Sequence, residues 1–461
     1  MATVFYLFAA DRDELQRCLG GCTLSLEAVS RRFTRIDDLD AASDPRSAAA
    51  VTTNNPWRLV DPSLKAHTRA APGYGAAFSG DHDDVIDFAT AFGLLDAPFF
   101  GVDVAADPSD AAGATPWQHG CPGGTFATRD AAHRLIQSAA LGDAGLDGAG
   151  VNVVIVDTGV SARYVTETLG GSFGGGLFWS GRDGLRVPGQ PRTYSSAPRL
   201  HGDMVARNVL ALAPAATIYD LPLLPRRIQA PSLFSLIATL GYAALDLWMA
   251  LQGGGRWVVV SPWAIFDRLA EAVPGNYTER RSHPLNQVVI AMTGRHDMVF
   301  PAGNSGQFCP APRSGAYDRG PGRSILGANA LEEVLCVGAS RADALWIGAS
   351  SQGPGPRRLS RDGVSLDEKP DVNAPSWFRD PLDAALADTG TSAAAAVAGG
   401  AVAALRSGWD AGAVSPGELK TVLRDSARPF WHVGWNGRAG TGLIDLRATL
   451  AALHDHAGAP G

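Results

Sequence analysis

Three short stretches, far apart in the chain, constrain its fold more than any other feature. In chain order they are VVIVDTGV around Asp157, RLHGDMVA around His201 and DTGTSAAAA around Ser392. Each sets one reactive polar side chain at the end or the start of an apolar segment. The intervals between them are long enough for strand and helix units, so the three side chains meet only if the chain folds back on itself in layers.

The segment before Asp157 predicts one strand of a parallel sheet. VNVVIVD is an apolar run that ends in a carboxylate, as expected of a buried strand that presents Asp157 at its carboxyl end. Sites in open α/β sheets collect at that edge. A lone Asp after such a strand is more often a metal ligand or a helix cap, so this motif does not decide its role by itself.

The segments after His201 and Ser392 predict helices. Apolar residues recur on one face of GDMVARNVLALAP, which sets His201 in the first turn. Ser392 begins AAAAVAGGAVAAL, which predicts a closely packed core helix whose dipole faces the Ser392 hydroxyl. Acyl transfer at neutral pH needs a hydroxyl nucleophile, a base and an acid that orients the base. Asn304, in PAGNSG, adds an amide that can donate to a developing oxyanion.

In order and spacing, these motifs resemble those of the subtilisin-like serine peptidases, the subtilase family. Four flanking segments match the family as well: APAATIYDL, VLCVGAS, KPDVNAP and GTGLID. The resemblance covers roughly residues 116 to 450. Asp203 and Met204 depart from it, since the family usually has Thr and His there. Ala396 replaces a common proline, which the first turn of a helix accepts but does not need.

The resemblance implies a subtilisin-like three-layer sandwich, in which helices cover both faces of a mostly parallel central sheet. We assign residues 116–455 to this peptidase domain, residues 1–115 to a small N-terminal α+β region and residues 456–461 to a flexible tail. In the N-terminal region, TVFYLFA, DRDELQRCL, DDVIDFATAFGLLD and APFFGVDV predict strand, helix, helix and strand. Many subtilases carry an inhibitory propeptide there, and a permanent extension fits the sequence equally well because no cleavage site is legible.

The resemblance also implies a serine endopeptidase that hydrolyses peptide bonds through an acyl-enzyme intermediate. Ser392 would attack, His201 would shuttle the proton and Asp157 would orient His201. Asn304 and the backbone N–H of Ser392 would hold the oxyanion. The alternative is a catalytically silent pseudo-peptidase that keeps a peptide-binding groove without turnover.

Four further residues are predicted to bind substrate: Gly303 beside Asn304, and Ser261, Pro262 and Trp263. The last three follow the apolar strand in RWVVVSPW, where the family usually has Ser, a variable residue and Gly on the strand that pairs with substrate. Pro262 cannot donate a ladder hydrogen bond. An indole in place of glycine predicts a preference for small residues just before the cut, unless the Trp263 ring packs in the core.

Composition and charge narrow the choice of partners. With 461 residues, 46% hydrophobic and 18% charged, the chain has enough apolar material for one large domain with an N-terminal attachment. A net charge of −7 without a basic face excludes nucleic acid, and we expect a monomer that acts on protein or peptide substrates. The apolar segment Leu233–Leu251 approaches the length of a membrane span. Asp246 and the strand that follows favour a buried helix and no membrane contact.

The start of the chain and its cysteines predict a cytoplasmic location. MATVFYLFAADRDE has no basic leader and only a short apolar run, so it does not have the pattern of a signal peptide. Cys18, Cys22, Cys121, Cys309 and Cys336 are an odd number without metal-type pairs, which favours free thiols. The acidic DHDD at 81–84 is either a cation ligand or a solvated loop. We expect no cofactor and no metal ligands. The family frequently binds structural calcium, but no complete site is legible here.

Overall fold

The computed structural model describes residues 2–40, 73–104, 107–108, 127–176, 201–224, 234–252, 255–380, 387–431 and 433–460. Its strands are β1 Ala2–Ala9, β2 Thr34–Asp40, β3 Tyr74–Asp81, β4 Phe100–Val102, β5 Asp107–Pro108, β6 Ala127–Thr128, β7 Val151–Val156, β8 Ser172–Gly176, β9 Thr217–Leu221, β10 Arg256–Val260, β11 Trp263–Ala264, β12 Asp297–Pro301, β13 Leu335–Ser340, β14 Val372–Pro375, β15 Phe378–Arg379 and β16 Ala387–Asp388. Its helices are α1 Arg12–Gly21, α2 Leu26–Arg32, α3 His82–Ala91, α4 Arg129–Leu135, α5 Ala139–Asp143, α6 His201–Leu210, α7 Phe234–Leu251, α8 Pro284–Thr293, α9 Gly390–Gly408, α10 Pro416–Asp425 and α11 Leu446–Ala457.

A parallel sheet forms the centre of the molecule, with strand order β14-β13-β12-β10-β7-β9-β8. Side chains alternate between its two faces, as the geometry of a strand requires. On β7, Val153 and Ile155 join the core that contains α6 and α9, whereas Val154 and Val156 join the core that contains α7 and α8. Helices therefore cover both faces, which confirms the three-layer sandwich that the sequence predicts.

The motif segments take the structures that their patterns predict. The apolar runs before Asp157 and Asn304 are strands β7 and β12, and VLCVGAS contains β13. Helix α10 begins with a capping box, in which the Ser415 side chain accepts from the Glu418 N–H and the Glu418 carboxylate accepts from the Ser415 N–H. The apolar segment predicted as a buried helix is α7. Among the described residues, no helix is both long enough and apolar enough to span a membrane.

The N-terminal unit, residues 2–40 and 73–104, has its own antiparallel sheet with the order β2-β3-β1-β4. With its helices it forms a βαββαβ arrangement, the split βαβ motif. The sequence predicts β1, α1, α3 and β4 correctly but misses β2 and β3. TRIDDLD is too polar and YGAAFSGD too rich in small residues to give a strand pattern.

The two faces of β1 have different neighbours. Phe5 and Leu7 pack under the helices of the N-terminal unit, whereas Tyr6 packs into the core formed by α7 and α8 of the main body. Gly75 on β3 permits this close approach, because a Cβ there would lie 2.4 Å from the Leu236 side chain. The N-terminal unit therefore rests on α7 and α8 through the face of its sheet that its own helices leave uncovered.

Polar bonds between distant residues hold this contact, which we call the N-terminal contact surface. The Val102 N–H donates to Asn276 Oδ1 (3.0 Å), and Arg280 Nη2 donates to the Phe100 carbonyl (2.5 Å). The Tyr6 hydroxyl lies 3.3 Å from His283 Nε2, and burial holds the pKa of His283 well below its usual value. His283 is therefore neutral at neutral pH, and the charged groups that bond across the contact include the Arg280 guanidinium and the Asp103 carboxylate, which accepts from the Ser235 N–H (3.3 Å).

Helix α11 extends to Ala457, so it includes the first two residues of the segment 456–461, and Trp409 Nε1 donates to the Gly458 carbonyl (3.1 Å). The flexibility of that segment stays a prediction. Cys309 is disulfide-bonded, which corrects the prediction of a free thiol at this position. Cys18, Cys22 and Cys336 are free, and Cys121 and the boundary at 115/116 lie outside the described residues.

Candidate active site

Asp157 and His201 meet at the carboxyl edge of the central sheet. Asp157 directly follows β7, and His201 opens α6. Asp157 Oδ2 lies 2.6 Å from His201 Nδ1, and both side chains are buried. The close approach depends on Gly202, since a Cβ there would lie 2.4 Å from the Gly159 carbonyl oxygen. The carboxylate therefore holds Nδ1 as the protonated nitrogen and leaves the Nε2 lone pair for a proton.

Ser392 lies in the first turn of α9 and is fully buried. Gly390, two positions earlier, has φ of 72°, a left-handed conformation that favours glycine and turns the chain into the helix. Ser392 Oγ donates to the Pro262 carbonyl (3.0 Å). His201 Nε2 is also buried and has no hydrogen-bond partner within the described part of the chain. The hydroxyl and the base are thus both present, with the hydroxyl turned onto the neighbouring strand.

Asn304 is tied to the residue before Ser392. Its Oδ1 accepts from the Thr391 N–H (2.9 Å) and from Thr391 Oγ1 (3.1 Å), and the Gly303 N–H donates to Thr391 Oγ1 (3.0 Å). Gly303 has φ of 101°, which sets the turn that follows β12. These bonds fix the plane of the Asn304 amide relative to the nucleophile.

Trp263 packs in the core, the second of the two alternatives left open by the sequence. The ring is fully buried and contacts the rings of Phe234 (5.3 Å) and Phe300 (5.7 Å) edge-on. Its Nε1 donates to the Tyr242 hydroxyl (3.1 Å), which in turn donates to Ser261 Oγ (2.7 Å). Ser261 and Trp263 therefore face α7, and Pro262 is the residue of this segment that touches the nucleophile.

A two-residue strand lies along the segment that was predicted to bind substrate. Strand β5 pairs antiparallel with β11, and Pro108 stands opposite Trp263 while Asp107 stands opposite Ala264. This pairing sets the backbone of Asp107 and Pro108 beside the two residues that follow Pro262. The chain thus occupies part of its own candidate groove.

The two departures from the subtilase pattern near His201 have structural roles. Asp203 is buried, and its Oδ1 accepts from the Ser161 N–H (2.8 Å), which ties the first turn of α6 to the loop after Asp157. Met204 belongs to the core beneath α6. Helix α9 continues through Ala396, as predicted in the absence of the common proline.

The acidic DHDD segment caps a helix. Asp81 Oδ1 accepts from the Asp83 N–H (3.1 Å) at the start of α3, and His82 Nδ1 lies 3.2 Å from the Thr3 hydroxyl. In the described ranges, no group of three or more His, Cys, Asp or Glu side chains is arranged to hold a metal ion.

Sequence reasoning missed several groups around the site. Thr391 lies in the same motif as Ser392, and this motif is the signal from which a bond between Thr391 and the Asn304 motif could have been predicted. Tyr242 lies in an apolar helix, and nothing in its surroundings indicates that its hydroxyl holds Ser261. The bonds from Arg207 to Asp388 join residues 181 positions apart, beyond the reach of any local pattern.

Comparisons with known proteins concern the family and the fold of this chain. The model of the subtilase family matches residues 268–445, a segment that contains Asn304 and Ser392. Fervidolysin from Fervidobacterium pennivorans, described as a keratinolytic enzyme related to subtilisin, is similar in structure, with 17% identity and a TM-score of 0.51. The match covers 98% of this chain and 61% of fervidolysin. MycP1 from Mycobacterium smegmatis matches with 18% identity and a TM-score of 0.44, over 75% of this chain and 90% of that one. A search of curated protein sequences finds no match.

The family match and the subtilisin-like fold together confirm the resemblance to the subtilases that the motifs predict. The likeness to fervidolysin, at this identity, concerns the fold alone. The family match supports a serine protease, whose substrate is protein.

Proposed function

We propose that this chain is a serine endopeptidase that cleaves peptide bonds through an acyl-enzyme intermediate on Ser392. Asp157 orients His201, and His201 takes the Ser392 proton and later gives it to the leaving amine. Asn304 Nδ2 and the Ser392 N–H donate to the oxyanion of the tetrahedral intermediate. The reaction needs no metal or cofactor, because these groups supply nucleophile, base and oxyanion donors.

The observation that carries the proposal is the buried bond between Asp157 and His201, with Nε2 left unpartnered among the described residues. A buried imidazole nitrogen without a partner carries a desolvation cost, which a hydrogen bond from the Ser392 hydroxyl would offset, and the Asp157 carboxylate would stabilise the imidazolium that forms in the reaction. Ser392 Oγ is held by the Pro262 carbonyl through a single bond. In the proposed reaction the Ser392 hydroxyl leaves the Pro262 carbonyl and donates to His201 Nε2 instead.

An active-site fluorophosphonate tests the proposal, since it labels only an activated serine. Full-length protein is incubated with the reagent, and the adduct is located by peptide mass spectrometry. We expect one adduct on Ser392 in the wild type and none in Ser392→Ala. Absence of label from folded wild type, before and after prolonged incubation, would favour the silent pseudo-peptidase instead.

We propose further that the segment holding β5 is a substrate for the same site. Its antiparallel pairing with β11 is the pairing a peptide substrate would use, so a self-cut that relies on this pairing falls on the C-terminal side of Pro108. If the N-terminal region is a propeptide, purified wild type loses a fragment close to residues 1–115 over time while Ser392→Ala stays full length. Intact mass spectra in which both proteins stay uncut, with the wild type active, would make this region a permanent part of the enzyme.

The cytoplasmic location stays a prediction and is linked to Cys309. Disulfides persist in oxidising compartments, so a Cys309 disulfide retained in cells would argue against the cytoplasm. Alkylation of native cells before lysis, followed by mass spectrometry of the Cys309 peptide, distinguishes the two states.

A further inference from the structure

Four charged side chains, which we call the charge cluster, are buried between the elements that carry His201 and Ser392. The cluster contains Arg129, Arg207, Asp380 and Asp388, with side-chain exposures of 10%, 5%, 1% and 0%. Two positive and two negative groups balance, so the cluster adds no net charge to the interior. Such an arrangement is costly to desolvate, and it persists only where the geometry satisfies its members.

Asp388 is the most heavily bonded member. It accepts from Arg207 Nη2, from Arg207 Nε (3.3 Å), from Asn208 Nδ2 (2.9 Å) and from Arg129 Nη2 (3.4 Å). Arg207 Nε also lies 2.5 Å from Asp380 Oδ2. Burial alone would lower the pKa of Arg207, but the charge of Asp388 and the hydrogen bond to it raise that pKa above its usual value. The guanidinium therefore stays charged and forked between the two carboxylates.

The cluster joins the base to the nucleophile through short covalent paths. Arg207 stands on α6, the helix that His201 opens. Asp388 ends β16, and Thr389 then begins the turn into α9 and Ser392. The Trp377 N–H donates to the Asp388 carbonyl (2.8 Å), which fixes the backbone at this position.

Apolar packing alone would leave the spacing between α6 and the first turn of α9 loosely defined. The surface of α9 near Ser392 consists of alanines, and apolar contact has no preferred direction. A forked guanidinium–carboxylate bond fixes both a distance and an angle. Since Ser392 Oγ must leave the Pro262 carbonyl and meet His201 Nε2, the transfer depends on the two helices keeping one spacing.

We propose that Arg207 and Asp388 are positioning residues that set the helix of the base against the turn of the nucleophile. This inference rests on the proposed serine endopeptidase function. Both residues are buried and bonded to each other, so in this proposal they act through His201 and Ser392.

The chain contains a matched control in a second buried pair, which joins Arg406 on α9 to Asp297 on β12. Arg406 Nε lies 2.5 Å from Asp297 Oδ2, and Arg406 Nη2 donates to Asp297 Oδ1 (2.7 Å). This pair is also forked and buried, but it stands at the opposite end of the 19-residue helix α9 from Ser392. It separates the general effect of disturbing a buried ion pair from an effect on the site.

The test compares full-length Arg207→Lys and Arg406→Lys with wild type. The measured quantities are the rate of fluorophosphonate labelling of Ser392, kcat and KM for a peptide substrate, and the unfolding temperature. Lysine keeps the charge and loses the fork, so both variants should unfold at lower temperature. We expect Arg207→Lys to lower kcat and the labelling rate on the order of 10²-fold with KM unchanged, and Arg406→Lys to keep both rates near wild type. Equal losses in the two variants, or a wild-type rate in folded Arg207→Lys, would overturn the proposal.

A milder variant covers the case in which Arg207→Lys does not fold. Asn208→Ala removes one neutral donor to Asp388 and leaves the ion pairs in place. A reduced labelling rate at unchanged KM supports the proposal, and a wild-type rate overturns it. If wild type itself is not labelled at Ser392, the proposed function fails and the positioning role fails with it. If wild type is labelled and the two lysine variants behave alike, only the positioning role fails.

Discussion

The edge that we propose to be catalytic, called the catalytic edge below, is formed by Asp157, His201, Asn304 and Ser392. It and the N-terminal contact surface are both buried and polar, but the sequence encodes them differently. Each residue of the edge stands in its own recognisable motif. The bonds of the contact surface join Val102 to Asn276 and Phe100 to Arg280, across 174 and 180 positions and outside any motif. The proposed peptide cleavage therefore depends on a few residues that stand in motifs, whereas the attachment of the N-terminal unit depends on single bonds between many residues.

Two different responses to substitution follow. A change at the catalytic edge should remove activity and leave the fold, because the motif side chains add little to the core. A change in the buried surroundings of the N-terminal contact surface should alter stability and leave the chemistry of the site in place.

The largest effect is expected at the nucleophile. Ser392→Ala should lower kcat by about six orders of magnitude, the size of the loss known for subtilisin, while the unfolding temperature stays near wild type. Steady-state kinetics and circular dichroism during heating measure the two quantities. Retention of most activity would remove Ser392 from the catalytic edge.

Substitution of Trp263 tests whether this residue belongs to the substrate pocket or to the core. Because its ring packs against Phe234 and Phe300, Trp263→Ala should reduce the free energy of unfolding by about 3–5 kcal/mol. Its effect on kcat/KM should be similar for peptides with Ala, Leu or Phe just before the cut. A selective gain for Leu and Phe would instead make Trp263 a wall of the substrate pocket.

Asn304 should affect turnover more than binding. Asn304→Ala should lower kcat by about 10²–10³-fold with little change in KM, because its amide acts mainly in the transition state. Asn304→Asp keeps the acceptor for the Thr391 N–H and serves as the matched variant. A change confined to KM would place Asn304 in substrate binding.

Substitution of Glu271 tests how the buried surroundings of the N-terminal contact surface contribute to stability. Its carboxylate accepts from the Tyr277 N–H (2.7 Å) and the Thr278 N–H (3.2 Å), and burial raises its pKa to about 7. A folded-state pKa above the unfolded value means that this stabilisation is complete below pH 4.5 and is lost as the pH rises through about 7.

Urea unfolding at pH 5 and pH 8 measures that loss. Wild type should lose up to about 3 kcal/mol more than Glu271→Gln over this interval, while kcat at a fixed pH stays comparable. Equal losses in the two proteins would show that Glu271 is ionised throughout. Of the four changes, this one should alter the chemistry least.

The order of the predicted elements follows from local patterns, and so does the position of the catalytic edge. VNVVIVD and AAAAVAGGAVAAL each carry enough periodicity or propensity to define β7 and α9 without their neighbours. Parallel strands bring their carboxyl ends to one edge, so Asp157 and Asn304 could be expected to meet there.

The orientation of side chains and the contacts between residues far apart in the chain could not be predicted. The sequence leaves open whether the Trp263 ring faces substrate or core, because Tyr242 and Phe300 decide this from other elements. Strands β2 and β3 lack an alternating pattern and form because β1 is available to β3. The disulfide of Cys309 has no local signal in an odd set of cysteines.

The Thr391 hydroxyl limits which substitutions the candidate active site can accept. Thr391 Oγ1 accepts from the Gly303 N–H and donates to Asn304 Oδ1, and its neighbour is Ser392. A library that varies positions 304, 391 and 392 should therefore show strong epistasis, because each residue is useful only when the other two are correct. Thr391→Ser should be tolerated and Thr391→Val should not, although valine has the nearer shape. Evolution would have to change these positions together or leave them unchanged.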